Sequence, residues 1–498
     1  MEIRFYNTLT HRLETFAPID PPNVYMYNCG PTVYDFSHIG NFKTLLFADV
    51  LRRFLELAGY TVHQVMNITD VGHMTEDELA DGGGEDKMQV AMQRIKDAKK
   101  AGTVPNDAVS DPSDPYQVAQ FYIDAFLDDA RVLGLKVAGQ YPQHMPRATQ
   151  HITQMQQDIK RLIEADHAYV ASDSAVYYRV ESFPEYGKLS GNTLDKLRSG
   201  AGGRIVDANQ AVKCHPADFL LWKPDKSHIM KWDSPWGVGY PGWHIECSSM
   251  ARSVLGRDVI DIHSGGEDNI FPHHECEIAQ ACGVTGNDLF ARFWLHSRHL
   301  LVEGEKMSKS KGTFYTIRDV LEGKITGSPV DPSVLRLALM STHYRSNLNF
   351  TEQRIKDAAS AISRLHNLWL DVRERGEGRF DECTVSHPVI ADFKKMLADD
   401  LNISGALSVL FKWVGSDHPN ADESVKVLEA IDSVLGIGLS NALVRDAKSA
   451  MFGDCQEIDA ARANKDYAAA DAIRQRLIDA GYDVKTTKDG TVATKRLA

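Results

Sequence analysis

What this chain lacks narrows its possibilities before any motif is considered. No run of about 18 uncharged apolar residues occurs anywhere, which argues against a membrane-spanning helix. The opening residues, MEIRFYNTLTHRLETF, hold no apolar signal core, so a cytosolic location is expected. Cysteine is sparse: seven residues, an odd and scattered set, speak against a disulfide framework and make metal or thiol chemistry the better question. No self-similarity at solenoid spacing is visible. Net positive charge is also missing. A formal charge of -13 argues against indiscriminate nucleic-acid binding, although it leaves room for a local basic face. Residues 441–498 carry ten basic against nine acidic side chains, a net of +1, so the rest of the chain holds -14.

What is present is a chain of 498 residues with 43% hydrophobic content, enough to bury substantial cores in about three or four domains. Its most informative features are HIG at His38 to Gly40 and KMSKS at Lys306 to Ser310. HIG follows the apolar-rich Val24 to Tyr27 and Cys29-Gly30-Pro31, and precedes the helix-like run Lys43 to Leu57. That places it at a strand-to-helix turn, where free backbone N–H groups and the helix dipole favour phosphate. Gly40 allows a nucleotide close to the backbone. Lys306 and Lys309 fall in a polar stretch without hydrophobic periodicity, where mobile lysines can meet charge that develops during phosphoryl displacement. Taken singly, HIG is an ordinary turn and KMSKS an ordinary solvated loop; their order and separation in one chain point to ATP chemistry.

A second group is Cys29, Cys247 at the end of GWHIEC, and His273 and Glu277 of FPHHECE. The last two are four apart and share a face if the segment is helical. Two Cys, a His and a Glu are a plausible zinc set. Buried free cysteines and a surface His-Glu pair would give the same letters, and the position of Cys29 beside the nucleotide turn favours the metal.

YNCGPTVYDFSHIGN, NITDV, GWHIECS, FPHHE, KMSKS, STHYRS and DDLN resemble, in order, the segments of the cysteinyl-tRNA synthetases, a class I aminoacyl-tRNA synthetase family. The resemblance runs from about Tyr6 to the tail. It implies that Cys29, Cys247, His273 and Glu277 bind one Zn²⁺, and that the metal selects cysteine by stabilising its thiolate, which serine cannot match. It further implies that Gly30, Thr69, Trp243 and Asp268 contact the amino acid, Trp243 as a wall of its pocket. Each of the last three also reads as packing or surface polarity. By the same resemblance Gly40, Asn41 and Lys309 bind the nucleotide, while His38, Lys309 and Lys306 stabilise the charged transition state as the cysteine carboxylate attacks ATP with Mg²⁺ present. The expected partners are L-cysteine, ATP and cysteine tRNA, with no membrane, and the chain is expected to be a monomer.

The expected fold is α/β. Residues 1–125 and 232–310 should form two halves of a Rossmann-like nucleotide-binding domain with a largely parallel sheet, since strand-like runs such as Val62 to Asn67 and Val259 to His263 alternate with helical segments. Between them, residues 126–231 hold a helix His151 to Ala165 and the strand-like AYVASDSAVYYRV, and the resemblance makes this the connective insertion that approaches the acceptor end of tRNA. A stem-contact region, 311–350, then leads to an α-helical bundle, 351–441, with helices around Ala358 to Val372, His387 to Ala398 and Glu423 to Leu435. The last part, 442–498, reads as a small α+β domain: one helix over EIDAARANKDYAAADAIRQRLIDAG closed by Gly481, then a hairpin through Asp489-Gly490. The resemblance assigns it to the anticodon.

Three departures stand out. Asn41 replaces the family's usual histidine. NITDVGHMT lacks the usual DDK, and an acidic glycine-rich stretch, Asp81 to Asp86, leads instead to Lys87; this stretch and the charged run Lys96 to Pro115 read as solvated insertions. FWLHSRHL departs from the family's HNG, which opens the contacts near His296. One rival reading is an enzyme that passes activated cysteine to an amino sugar, but the roughly 150 residues after the stem-contact region favour tRNA. The other is a non-catalytic RNA-binding paralogue, against which His38, Lys306 and Lys309 all stand.

Overall fold

The computed structural model describes residues 1–74, 85–192, 212–308, 312–376, 387–439, 454–479, 482–487 and 490–495. It divides into two compact units, residues 1–300 with 342–348 and 398–401, and the remainder.

The first unit is built on a four-stranded sheet of β1 (Asn23–Asn28), β2 (Thr61–Met66), β3 (Ile260–Gly266) and β4 (Ala291–Ser297). Their order across the sheet is β4-β3-β1-β2, and every pairing is parallel. Central strand β1 buries Val24, Met26, Tyr27 and Asn28, as expected where helices cover both faces. The link from β1 to β2 contains α1 (Ile39–Leu57), whose buried residues include Phe42, Leu46, Phe47, Leu51 and Phe54. Lys43, Asp49 and Arg52 are buried with them, which extends burial around most of the helix.

Because the strands are parallel, their carboxyl ends lie together, and ligands of open α/β sheets bind outside that edge. Register brings Asn28 opposite both Met66 and Ser264, and Ser297 opposite Gly266. Cys29, Asn67 and Thr69 therefore emerge beside the end of β3.

An antiparallel sheet joins Ala168–Val170, Val176–Tyr178 and Phe219–Pro224 of the expected insertion to Gly239–Pro241, which lies beyond its expected end at 231, in that order. AYVASDSAVYYRV is a hairpin of the first two. Tyr178, Phe219 and Trp222 share one apolar cluster with Met155, Ile159 and Leu162 of an amphipathic helix, Ile152–Glu164, and with Ile245, Met250 and Ala279. The sheet thus packs into the same core as the helices that follow it.

Expectation and structure part at the charged run from Lys96. Residues Lys87–Lys100 form a helix, α2, with Asp86 capping it through bonds from Met88 N and Gln89 N. Met88, Ala91, Met92 and Ile95 bury one face. That 3–4 spacing outweighs the surrounding lysines and aspartates, so of the run Lys96 to Pro115 only the part between Lys100 and the next helix, α3 (Pro115–Val132), is a connection. Of the acidic stretch, 81–84 lie outside the described residues and Asp86 is buried as the cap.

In the second unit, Leu301 and Val302 pair antiparallel with Glu305–Lys306. The helix Glu352–Arg375 buries Ile355, Ala358, Ile362, Leu365, Trp369 and Val372 at the spacing of one helical stripe. It packs against Pro332–Met340, Ile403–Val414 and Ala421–Leu435. The helix expected over the tail is two helices, 454–463 and Tyr467–Asp479, broken where Lys465 takes a left-handed φ of 62°. The terminal strands Tyr482–Thr487 and Gly490–Lys495 form the expected hairpin, but Thr487 pairs with Gly490. Residues 488–489, which include Asp489 of the expected turn, lie outside the described residues, as does Gly481.

Candidate functional site

The residue after β1 is Cys29, whose backbone N donates to Ser264 O at 3.1 Å. The next, Gly30, tolerates no side chain: a Cβ there would sit 1.9 Å from the Asn67 carbonyl oxygen. Its N–H donates to Asn67 Oδ1 at 2.8 Å, which locks the loop after β1 to the loop after β2. On the far side, α4 (Trp243–Leu255) brings Cys247 in its second turn. A tight turn, Ile270–His274, enters α5 (Glu275–Thr285) and supplies His273 and Glu277.

These elements converge on one buried point. One ligand atom from each of Cys29, Cys247, His273 and Glu277 lies within 4.8 Å of every other. Cys29 Sγ is 3.9 Å from Cys247 Sγ and 3.7 Å from Glu277 Oε1, and His273 Nε2 is 3.1 Å from the same Oε1. Burial pushes the Cys29 thiol and the Glu277 carboxyl well up, raises the Cys247 thiol, and pushes His273 well down. Left to themselves the four groups are driven neutral, and a divalent cation is what would ionise two thiols and a carboxyl in so dry a place. The donor set and its spacing fit a metal of the zinc type.

A second, overlapping foursome shares Cys29 and Glu277 and adds His263 and His274. His274 Nε2 is 3.3 Å from Cys29 Sγ, and His263 Nε2 is 2.9 Å from Glu277 Oε2. His274 Nδ1 meets His296 Nε2 at 2.8 Å, and His296 Nδ1 meets Thr8 Oγ1 at 2.8 Å. Burial lowers both His263 and His296 to about 3, so neutral imidazoles surround the cluster. The sequence does not single out His263 or His274, although His274 adjoins His273.

Thr69 is buried beside this floor. Its hydroxyl donates to Glu246 Oε2 at 2.9 Å and accepts from Asn67 Nδ2 at 3.0 Å. Glu246 also meets His73 Nε2 at 2.6 Å. Trp243 stacks on His273 with centroids 4.3 Å apart. Asp268 stands apart from the buried group: its side chain is 73% exposed, 3.5 Å from His299 Nδ1.

His38 caps α1. Its Nδ1 accepts from Asn41 N at 3.2 Å while Asn41 Oδ1 accepts from His38 N at 3.1 Å, a reciprocal capping box. With Nδ1 an acceptor, the neutral ring carries its proton on Nε2. Gly40 lies in the same first turn. Lys306 is exposed in the second unit, and Lys309 lies outside the described residues.

Residues 15–360 match the family model "tRNA synthetases class I (C) catalytic domain". The chain is 39% identical to a cysteine–tRNA ligase of Salinibacter ruber, across 99% of this chain and 98% of that protein. It belongs to the cysteine–tRNA ligase family. Another member, from Streptococcus pyogenes, is 40% identical across 98% of both chains. Among solved structures, Mycobacterium tuberculosis methionyl-tRNA synthetase with methionyl-adenylate aligns at TM-score 0.52 and 13% identity, covering 87% of this chain and 94% of that one. A leucyl-tRNA synthetase from Agrobacterium radiobacter, in a ternary complex, also reaches 0.52, at 11% identity and 85% of both chains. The α/β fold of the class I synthetases is therefore this cysteine–tRNA ligase family member's fold. No helix among its described residues is long and apolar enough to cross a membrane.

Proposed function

We propose that this chain activates L-cysteine with ATP to cysteinyl-adenylate and transfers the cysteinyl group to the 3′ end of cysteine tRNA, choosing cysteine through Zn²⁺ held by Cys29, Cys247, His273 and Glu277. The observation that carries this reading is the convergence of those four buried ligand atoms within 4.8 Å, in a chain that resembles cysteine–tRNA ligases from end to end. When bound, the zinc would hold the substrate's sulfur as thiolate, a state that a serine hydroxyl is far too basic to share.

The chain's own groups do the rest. Gly30, whose missing side chain lets its loop close on the Asn67 carbonyl, contacts the amino acid through its backbone, Thr69 is oriented by Glu246 and Asn67 to receive the amino group, Trp243 walls the pocket, and Asp268 approaches from the rim. Gly40 and Asn41 shape the turn for the triphosphate. His38 meets the phosphates as the carboxylate attacks, and Lys306 and Lys309 neutralise charge that grows on the departing pyrophosphate with its Mg²⁺. Residues 1–125 and 232–310 serve this activation, 126–231 approach the acceptor end, 311–350 touch the stem, 351–441 form the bundle, and 442–498 read the anticodon.

The test compares the full chain with a version ending at residue 440. Both should catalyse cysteine-dependent ATP–pyrophosphate exchange, while charging of a cysteine tRNA transcript at subsaturating concentration should fall sharply in the shortened form. Equal charging by both would contradict the division of labour, and charging by neither would reopen an amino-sugar acceptor.

A further inference from the structure

The mechanism above leaves one well-placed cation unused. Lys87 is the first residue of α2, and its backbone is pinned: Lys87 N donates to His73 O at 2.8 Å, and the preceding Asp86 caps the helix and lies 3.3 Å from His228 Nε2. The side chain runs between two rings. Its Nζ is 5.4 Å from the Tyr34 centroid and 6.0 Å from that of Trp243. Among the described residues Lys87 forms no ion pair, although acidic groups outnumber basic ones in this chain. Aromatic faces hold an ammonium without pairing its charge, which leaves the side chain open to an anionic ligand.

Its surroundings say what that is. Trp243 stacks on His273 of the metal-ligand cluster, so Lys87 and that cluster share one indole as a neighbour. Tyr34 belongs to the loop that leaves Cys29, is tied to Thr69 by Val33 N donating to Thr69 O at 3.0 Å, and ends at His38. The cation thus borders the pocket between its thiol-binding floor and the nucleotide turn. A cysteine held by its sulfur at the floor must extend its carboxylate away from the floor, toward that border.

Resting on the activation reading above, we propose that Lys87 contacts the reacting anions, the cysteine carboxylate and the α-phosphate of ATP. A carboxylate oxygen forms the new bond to the α-phosphorus as the bond to the bridging oxygen breaks, and that oxygen leaves with pyrophosphate. Lys87 remains protonated throughout. It offsets the repulsion between two anions brought into contact and the charge that gathers on the α-phosphoryl oxygens.

The experiment uses full-length zinc-loaded protein with Lys87→Ala, Lys87→Gln and Lys87→Arg. Cysteine-dependent exchange is measured beside competitive inhibition by cysteamine, which has the thiol and amine but no carboxylate. Lys87→Ala and Lys87→Gln should lower kcat/KM for cysteine roughly 10²-fold, Lys87→Arg should restore it to within about tenfold, and the cysteamine inhibition constant should move by less than about threefold. If the alanine variant does not fold, the glutamine variant carries the comparison. Unchanged exchange, or equal weakening of cysteine and cysteamine, would overturn the proposal, the second by making Lys87 a mere wall. Intact exchange with impaired charging would also overturn it and move the lysine's contact to a phosphate at the tRNA end. An inert wild-type protein would instead bring down the activation reading itself.

Discussion

Lys43 shows what the first turns of α1 give up beside the turn that carries His38. Its ammonium is buried, donating to Ser297 Oγ at 3.1 Å and to the Arg298 carbonyl, and burial lowers its pKa to about 8, with Glu267 pulling the other way. The unfolded value, 10.5, is the higher. The unfolded chain therefore binds more protons between about pH 8 and 10.5, and Lys43's contribution to stability rises with pH across that window. Urea unfolding of wild type and Lys43→Met should show wild type gaining on the variant from pH 8 to 10.5; a constant difference would mean the lysine is not desolvated. At the cluster, Cys247→Ser should remove zinc while His274→Gln keeps it, read by metal analysis of purified protein. The reverse would hand the ion to the overlapping set with His263 and His274. Cys29, Cys247, His273 and Glu277 are legible as chemistry because their residue types are unusual together. His263 and His296 are not, since a histidine inside an apolar strand looks like packing, and only the parallel register sets His296 opposite Gly265 and Trp294 opposite His263.

Among the elements, α1 is the one whose end matters most. Asn41 closes the capping box that orients His38. Asn41→Ala should cost about 0.5–1 kcal/mol of stability and lower the rate of adenylate formation more than it raises KM for ATP. A loss of stability with unaltered kinetics would separate the cap from catalysis. The strands and long helices could be read from periodicity because their apolar spacing is regular, as in the stripe of Ile355, Ile362, Leu365 and Trp369. Helix α2 was hidden because lysines and aspartates surround only four buried positions. The break at Lys465 was hidden because no glycine or proline marks it, and a lysine in left-handed backbone is something a sequence rarely announces.

At the scale of the whole molecule, the proposed activation residues and the proposed anticodon reader occupy different stretches of one chain, and the charge balance differs: +1 over residues 441–498 against -14 elsewhere. Charging by the full chain should fall as salt rises, more steeply than charging by the form ending at 440, because phosphate contacts release counterions. Equal slopes would place those contacts elsewhere. The central claim is that a buried metal-binding cluster makes this enzyme specific for cysteine, and the most direct test is ATP–pyrophosphate exchange by the zinc-loaded protein with cysteine and with serine. The account predicts exchange with cysteine and a kcat/KM lower by roughly 10⁴ or more with serine, a discrimination available where one polar partner is required. Comparable exchange with the two amino acids, or none with cysteine, would contradict it.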